Sequence, residues 1–376
     1  MQIHHIITDG WSMKILTKEI EYLYKNSAII KDDQDSSLHF IEYALAQRIS
    51  MSNGTMENKA KHSYWDKTLR NVEIVPFLPP DWLFSDHQCG SNIRKQFSVS
   101  IGNIQSFCKE KSITEFVFAF TGLLVAIYAL NGSDDITAFL AVSSRDPNNK
   151  ETTGPFVNVL PLRTSIDLCT NLQSLLHKVK VTVLELLQNA LPYHIIEKRL
   201  LRRGKMLPDA EFYSAFPCQI LFVYDYGETT PFSKSSLFKN IPVHYNCPDF
   251  LCMDSYVSMN EEENNFSVQV VYPDDMYSSK KVSDLLDVWD NILQTILKDT
   301  QLLIPLSVFF QSCPSDKVVD TCGETNSYTP HSVKCTVNRD TDIAITMGAF
   351  EEVTWRQLKL IQNALIRILE DYHNQT

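Results

Sequence analysis

His4-His5-Ile6-Ile7-Thr8-Asp9-Gly10 brings two imidazoles, a carboxylate and a glycine into seven residues. An imidazole takes a proton from an attacking amine near neutral pH. A carboxylate four positions beyond the second histidine can fix loop geometry through an arginine. Glycine permits a tight turn with backbone close to a substrate. The group is an economical acyl-transfer site. A histidine pair also has plainer readings, as a hydrogen-bonded buried pair, as tag residue or as part of a metal site. For the metal reading a second cluster is missing, since no HExxH or Cys/His grouping accompanies the pair.

Working outward, residues 12–25 read as an amphipathic helix capped by Ser12, with Leu16, Ile20, Leu23 and Tyr24 on one face. A second helical stretch runs over about 37–70 and carries Tyr43, Trp65 and Leu69, and the Pro-rich segment 75–92 reads as a connection. Phe116–Leu130 is the longest uncharged apolar run, but a membrane span needs about 20 such residues. Glu115 before it and Asn131-Gly132 after it mark a buried core helix instead. Ile136–Val142, Gln219–Tyr224 and Phe266–Tyr272 follow as strands, and Val282, Leu285, Trp289, Ile292 and Ile296 mark a helix by their spacing. The chain is thus mixed α/β. Residues 310–339 read as a linker, Asp342–Phe350 as a hairpin, and Thr354–Leu369 as a helix with capping-box spacing at Thr354 and Gln357.

The 376 residues, 44% hydrophobic and 21% charged, suffice for two domains and a sizeable core. A net charge of −11 with no basic stripe argues against nucleic acid. The N-terminus shows no signal peptide, and nine scattered cysteines without a CxxC pair fit reduced thiols, so a cytoplasmic location without disulfides or bound metal is expected.

HHIITDG resembles the HHxxxDG motif of nonribosomal peptide synthetase condensation domains, and later segments follow that family's order. Ile41–Arg48 (IEYALAQR) with Tyr64-Trp65 is similar to the YxDFAVWQR segment and its following YW. Asp134–Arg145 resembles the strand that ends in arginine, and TGPFVNVLPLR (153–163) is a close match to IGxFVNTLPLR. LPYHIIE (191–197) stands where the family has HQDYPFE, in degraded form, and FSVQVVYPDDM (266–276) resembles the late strand and YNxDLF turn. The resemblance covers roughly 1–305, and the tail at 342–369 looks like the opening of an adenylation domain.

The resemblance implies a chloramphenicol acetyltransferase-like two-lobe fold with most of the N-terminal lobe missing. Residues 1–75 would be a remnant of that lobe with connecting helices, 76–305 the C-lobe, 306–340 a linker, and 341–376 a short α/β adenylation beginning. His5 would be the catalytic histidine, accepting the proton of the acceptor amine or positioning it. Gly10 would present a backbone amide to the developing oxyanion, and His4 would be a packing neighbour. Asp9 would be structural, paired with Arg163 as first choice or Arg145 as second. Asn158 matches the family's asparagine, or else satisfies backbone at a strand end. Trp11 and Phe156 are taken as core. Substrates would arrive on phosphopantetheine arms of upstream and downstream carrier domains, with an adenylation domain in cis, no directly bound cofactor and no membrane. Paired histidines argue against a heterocyclisation domain, and the adenylation-like tail against an epimerisation domain. Both termini look truncated, so the chain alone is expected to be inactive. The alternatives are a free-standing CoA-dependent acyltransferase and a non-catalytic carrier-binding protein.

Overall fold

A computed structural model describes residues 3, 5–26, 40–72, 78, 81, 90–203, 220–225, 253–260, 265–274, 276–298, 302–307, 343–345 and 353–354. His4, the expected linker at 310–339 and the expected helix beyond Thr354 lie outside them. The first helix, α1 (Gly10–Asn26), begins earlier than expected because Asp9, not Ser12, caps it. The Asp9 carboxylate accepts from the Ser12 amide at 2.7 Å, and its carbonyl receives the Met13 amide at 3.0 Å. The buried positions of α1 are Ser12, Ile15 and Thr17, whereas Leu23 and Tyr24 of the expected stripe are exposed. A polar attachment at its first turn orients this helix, so its apolar periodicity does not.

The stretch expected as one helix over 37–70 contains two, α2 (Phe40–Ser52) and α3 (Met56–Thr68). The break falls at Asn53-Gly54-Thr55, where the Thr55 hydroxyl accepts from the Asn58 amide and starts α3. Trp65 is fully buried and its indole donates to the Asn189 carbonyl at 2.8 Å. The Pro-rich connection ends sooner than expected, in strand β1 (Gly90–Ser100), which leads directly into α4 (Ile101–Lys111) with Ser100 as cap.

Helix α5 (Glu115–Asn131) carries Thr114 as N-cap and Gly132 as C-cap, the latter in the left-handed region at φ 70°. Every residue from Val117 to Ile127 is buried, as expected of a helix apolar on all sides at the centre of a core. No single described helix is long and apolar enough to cross a membrane. Next come β2 (Asp135–Ser143), β3 (Val157–Ser165), α6 (Leu172–Gln188), α7 (Tyr193–Arg203), β4 (Ile220–Asp225), β5 (Met253–Asn260), β6 (Asn265–Pro273) and α8 (Ser279–Ile296).

Among the described residues six strands form one mixed sheet in the order β1-β6-β5-β4-β2-β3. β4 runs parallel to both β2 and β5, and the other pairs are antiparallel. Helices α8, α5 and α6 pack together, α8 against β1 and α6 against β3. Aromatic contacts link these layers: Trp289 of α8 meets Phe97 of β1 at 5.5 Å and Phe222 of β4 at 6.2 Å. The Trp289 indole donates to the Ala119 carbonyl at 3.1 Å. Burying each such side chain contributes roughly 1.5–3 kcal/mol. Gly122 lets the two helices approach, since a Cβ there would lie 2.2 Å from Leu293 Cδ2.

The chain divides into two compact units, Met1–Gly323 and Glu324–Thr376. In the second, β7 (Ile343–Ile345) pairs antiparallel with β8 (Val353–Thr354). Thr354, expected to cap a helix, therefore lies in a strand.

Candidate active site

The connection between β2 and β3, residues 144–156, is a wrapped loop closed by a bond from the Ser144 amide to the Phe156 carbonyl at 2.8 Å. Arg145 points its guanidinium into that loop. Its Nη1 donates to the carbonyls of Asn149 at 3.0 Å and Thr152 at 2.6 Å. Its Nη2 reaches both carboxylate oxygens of Asp9, at 3.0 and 3.2 Å, together with the Ser12 hydroxyl at 2.8 Å. Both members of the ion pair are almost wholly buried, with 6% and 2% of their side chains exposed.

Asp9 is enclosed by donors. Besides Arg145 it accepts from the Ser12 amide and hydroxyl, each at 2.7 Å, and from the Phe156 amide at 2.9 Å. Burial alone would raise its pKa, but the Ser12 hydrogen bonds and the Arg145 cation outweigh it and hold the carboxyl below its ordinary value. Ser12 is fully used as well, taking the Gly154 amide at 2.9 Å and the Arg145 donor while its single proton faces Asp9 or the Gly154 carbonyl. The first turn of α1 is thereby bolted into the loop. Trp11 adds an outer contact, its indole donating to the Lys150 carbonyl at 2.7 Å. Trp11 is 49% exposed, so its expected place in the core is corrected, whereas Phe156 is buried.

The first-choice partner for Asp9 is also corrected. Arg163 instead holds Asp135, with Nε at 2.9 Å, and donates from Nη1 to the carbonyls of Thr68 and Arg70. The register explains this. In the β2–β3 pair Arg163 sits opposite Thr137, far from the loop end where Val142 faces Asn158. Asn158 accepts from the Tyr193 amide at 3.0 Å and donates to the Leu191 carbonyl at 2.9 Å, tying β3 to the start of α7. This is the backbone-satisfying arrangement of the two considered for it.

His5 lies in an exposed turn formed with Ile6 and Ile7, and the chain becomes buried at Thr8 and Asp9. Gly10 is exposed, with open space where a Cβ would be, and as the first helical residue its amide is outside the helix's own bonding ladder. The arrangement thus presents the His5 imidazole and the exposed first residue of α1, Gly10, on either side of the residues that lead into a buried charged anchor. Ser12 and Gly154 contribute to that anchor and were missed as site residues. The signal for Ser12 was the cap spacing Asp9-x-x-Ser12.

Compared with known proteins, residues 1–305 match the family described as Condensation domain. Cyclosporin synthetase simA of Tolypocladium inflatum is 26% identical over 319 residues, 81% of this chain but 2% of that protein. Malpibaldin synthetase of Mortierella alpina is 27% identical over 185 residues, 48% of this chain and 3% of the other. Among solved structures, the condensation domain from the monacolin K polyketide synthase MokA superposes with a TM-score of 0.63 at 20% identity, covering 80% of this chain and 69% of that one. The chain therefore spans only a few per cent of the curated relatives it matches.

Proposed function

The chain belongs to the condensation-domain family, and on that premise we propose that it serves amide formation between acyl groups held as thioesters in nonribosomal peptide synthesis. In this reading the acceptor amine nitrogen attacks the donor thioester carbonyl. A C–N bond forms, the C–S bond breaks, the thiol departs, and His5 receives or steers the amine proton. The Gly10 amide stands near the carbonyl oxygen as it becomes negative. Phosphopantetheine arms of carrier domains supply both substrates, with no other cofactor, and an adenylation domain follows in cis, its opening being the segment 341–376. The setting is cytoplasmic.

The observation that supports this reading is the junction at residues 5–12. An exposed His5 precedes an aspartate whose position is fixed by four protein donors, so the loop carrying the imidazole is anchored on one side and open on the other. The test is His5→Ala in an intact synthetase containing this segment, assayed by product formation from loaded carriers. A fall of about 10²–10⁴-fold is expected for loss of a general acid–base group. Unchanged product yield would sink the catalytic role of His5.

A further inference from the structure

We infer that Phe156 is a positioning residue for the His5 loop, acting through its ring on Arg145 and through its amide on Asp9; the link to catalysis rests on the reading of His5 given above. The Arg145 Cζ lies 4.2 Å from the centroid of the Phe156 ring. The N–H donors of a guanidinium lie in its plane, so the hydrogen bonds of Arg145 restrain displacement along the plane's normal only weakly. An aromatic face beneath a buried guanidinium supplies that restraint, because the ring's negative face attracts a cation that has lost its water. The same residue gives its amide to Asp9 at 2.9 Å. One residue thus touches both members of the buried pair, by two separable parts.

The ring is itself braced from outside. Phe40 meets it edge-on at 5.1 Å and Tyr43 at 4.9 Å, both from α2. α2 has no buried residue of its own, yet Phe40 presses on Gly154, where a Cβ would lie 2.6 Å from its ring. Gly154 is the residue whose amide and carbonyl both meet Ser12. The aromatic group therefore clamps the 154–156 turn against the first turn of α1, and the strain of misplacing it falls on Asp9, four residues from His5.

Fluorination tests this, because it drains the ring's negative face while keeping its shape. Position 156 is filled with phenylalanine, monofluorophenylalanine or trifluorophenylalanine in the full chain, and Phe156→Leu is made alongside. Amide hydrogen exchange is then read at Ser12, Gly154 and Phe156 and, as reference, along α5. Exchange at the three anchor amides is expected to rise stepwise with fluorination, to about tenfold for the trifluoro ring, and further in Phe156→Leu, with α5 unchanged. A flat response to fluorine would overturn the inference, leaving Phe156 as a space-filler. An equal rise along α5 would overturn it too, since the effect would then be global. In an intact synthetase the same series should lower kcat about 10-fold or more with KM unchanged. Exchange needs no chemistry, so an inert His5→Ala with a graded exchange response would reject the catalytic reading and keep the clamp.

Discussion

Where α8 crosses α5, the contact is apolar on both sides and closed by Trp289, Leu293 and the cleft at Gly122. Where α1 enters the 144–156 loop, the buried groups are a carboxylate, a guanidinium and a hydroxyl. The first contact depends mainly on volume, the bond from the Trp289 indole to the Ala119 carbonyl being its directional part. The second is directional, and each member satisfies several others, so it tolerates the loss of none. A packed core can be refilled by neighbours at modest cost, but a half-emptied charge network leaves an ion without water or partner. The corner by the candidate site is therefore the more brittle region, although it buries far less surface.

The most damaging way to test that contrast is Arg145→Ala. It strands the Asp9 carboxylate in a buried position, and a loss of about 3–5 kcal/mol is expected in urea unfolding. A loss below that of the core substitution discussed next would remove the distinction between the two regions. In the core, Gly122→Ala drives a methyl into Leu293, and a cost of about 1–3 kcal/mol is expected for overpacking. Adding Leu293→Ala to it should cost less than the sum of the two single changes, because the new methyl fills part of the space vacated. Within the corner, relief is expected only from removing the stranded charge itself, so Asp9→Asn added to Arg145→Ala should cost less than the sum of the two.

Legibility in the sequence divides along the same line. The core was readable because burial imposes period: Val282, Leu285, Trp289, Ile292 and Ile296 are spaced as one helical face, and all are buried. Phe116–Leu130 announced its own burial by having no polar face. The corner has no period. Asp9, Arg145 and Gly154 are joined by loop geometry across 145 positions of sequence, from Asp9 to Gly154, and only a family pattern could pair them. That pattern left two arginines open, and the β2–β3 register decided between them by placing Arg163 at the wrong end of its strand. Strand β1 was missed because the charged Arg94 and Lys95 and the polar Gln96 break its apolar signal; it is an edge of the described sheet whose residues from Ser91 to Val99 alternate between exposed and partly or fully buried, and Lys95 reaches Asp287 at 2.6 Å. Helix α1 was misread by two residues since a carboxylate outcompeted a hydroxyl for the cap.

Asn158→Ala sharpens the comparison from an intermediate position. The residue lies at the loop end of β3 but serves the backbone at Leu191 and Tyr193 and not the ion pair. A cost of about 1 kcal/mol is expected, being that of two neutral hydrogen bonds at a half-buried site. Exchange at the Tyr193 amide should quicken while Ser12 stays protected. If Ser12 were exposed as well, the corner would extend into α7 and could not be treated as a separate unit.

The smallest effect expected is on acid stability, and its sign separates the regions most clearly. The folded state holds Asp9 below the ordinary carboxylate value of about 3.9, so the unfolded chain binds the proton more readily. The stabilisation that this difference provides is fully present above the unfolded value and is lost as pH falls through the folded one. Other carboxylates titrate in the same range, and the comparison must therefore be with Asp9→Asn across pH. The stability gap between wild type and Asp9→Asn should be constant from neutrality to about pH 5 and should narrow below about pH 4. For Gly122→Ala the gap from wild type should not change with pH at all, since neither Gly122 nor Leu293 titrates. A gap for Asp9→Asn that held steady into acid would mean that the carboxylate charge contributes nothing and that the corner, like the core, is held by shape.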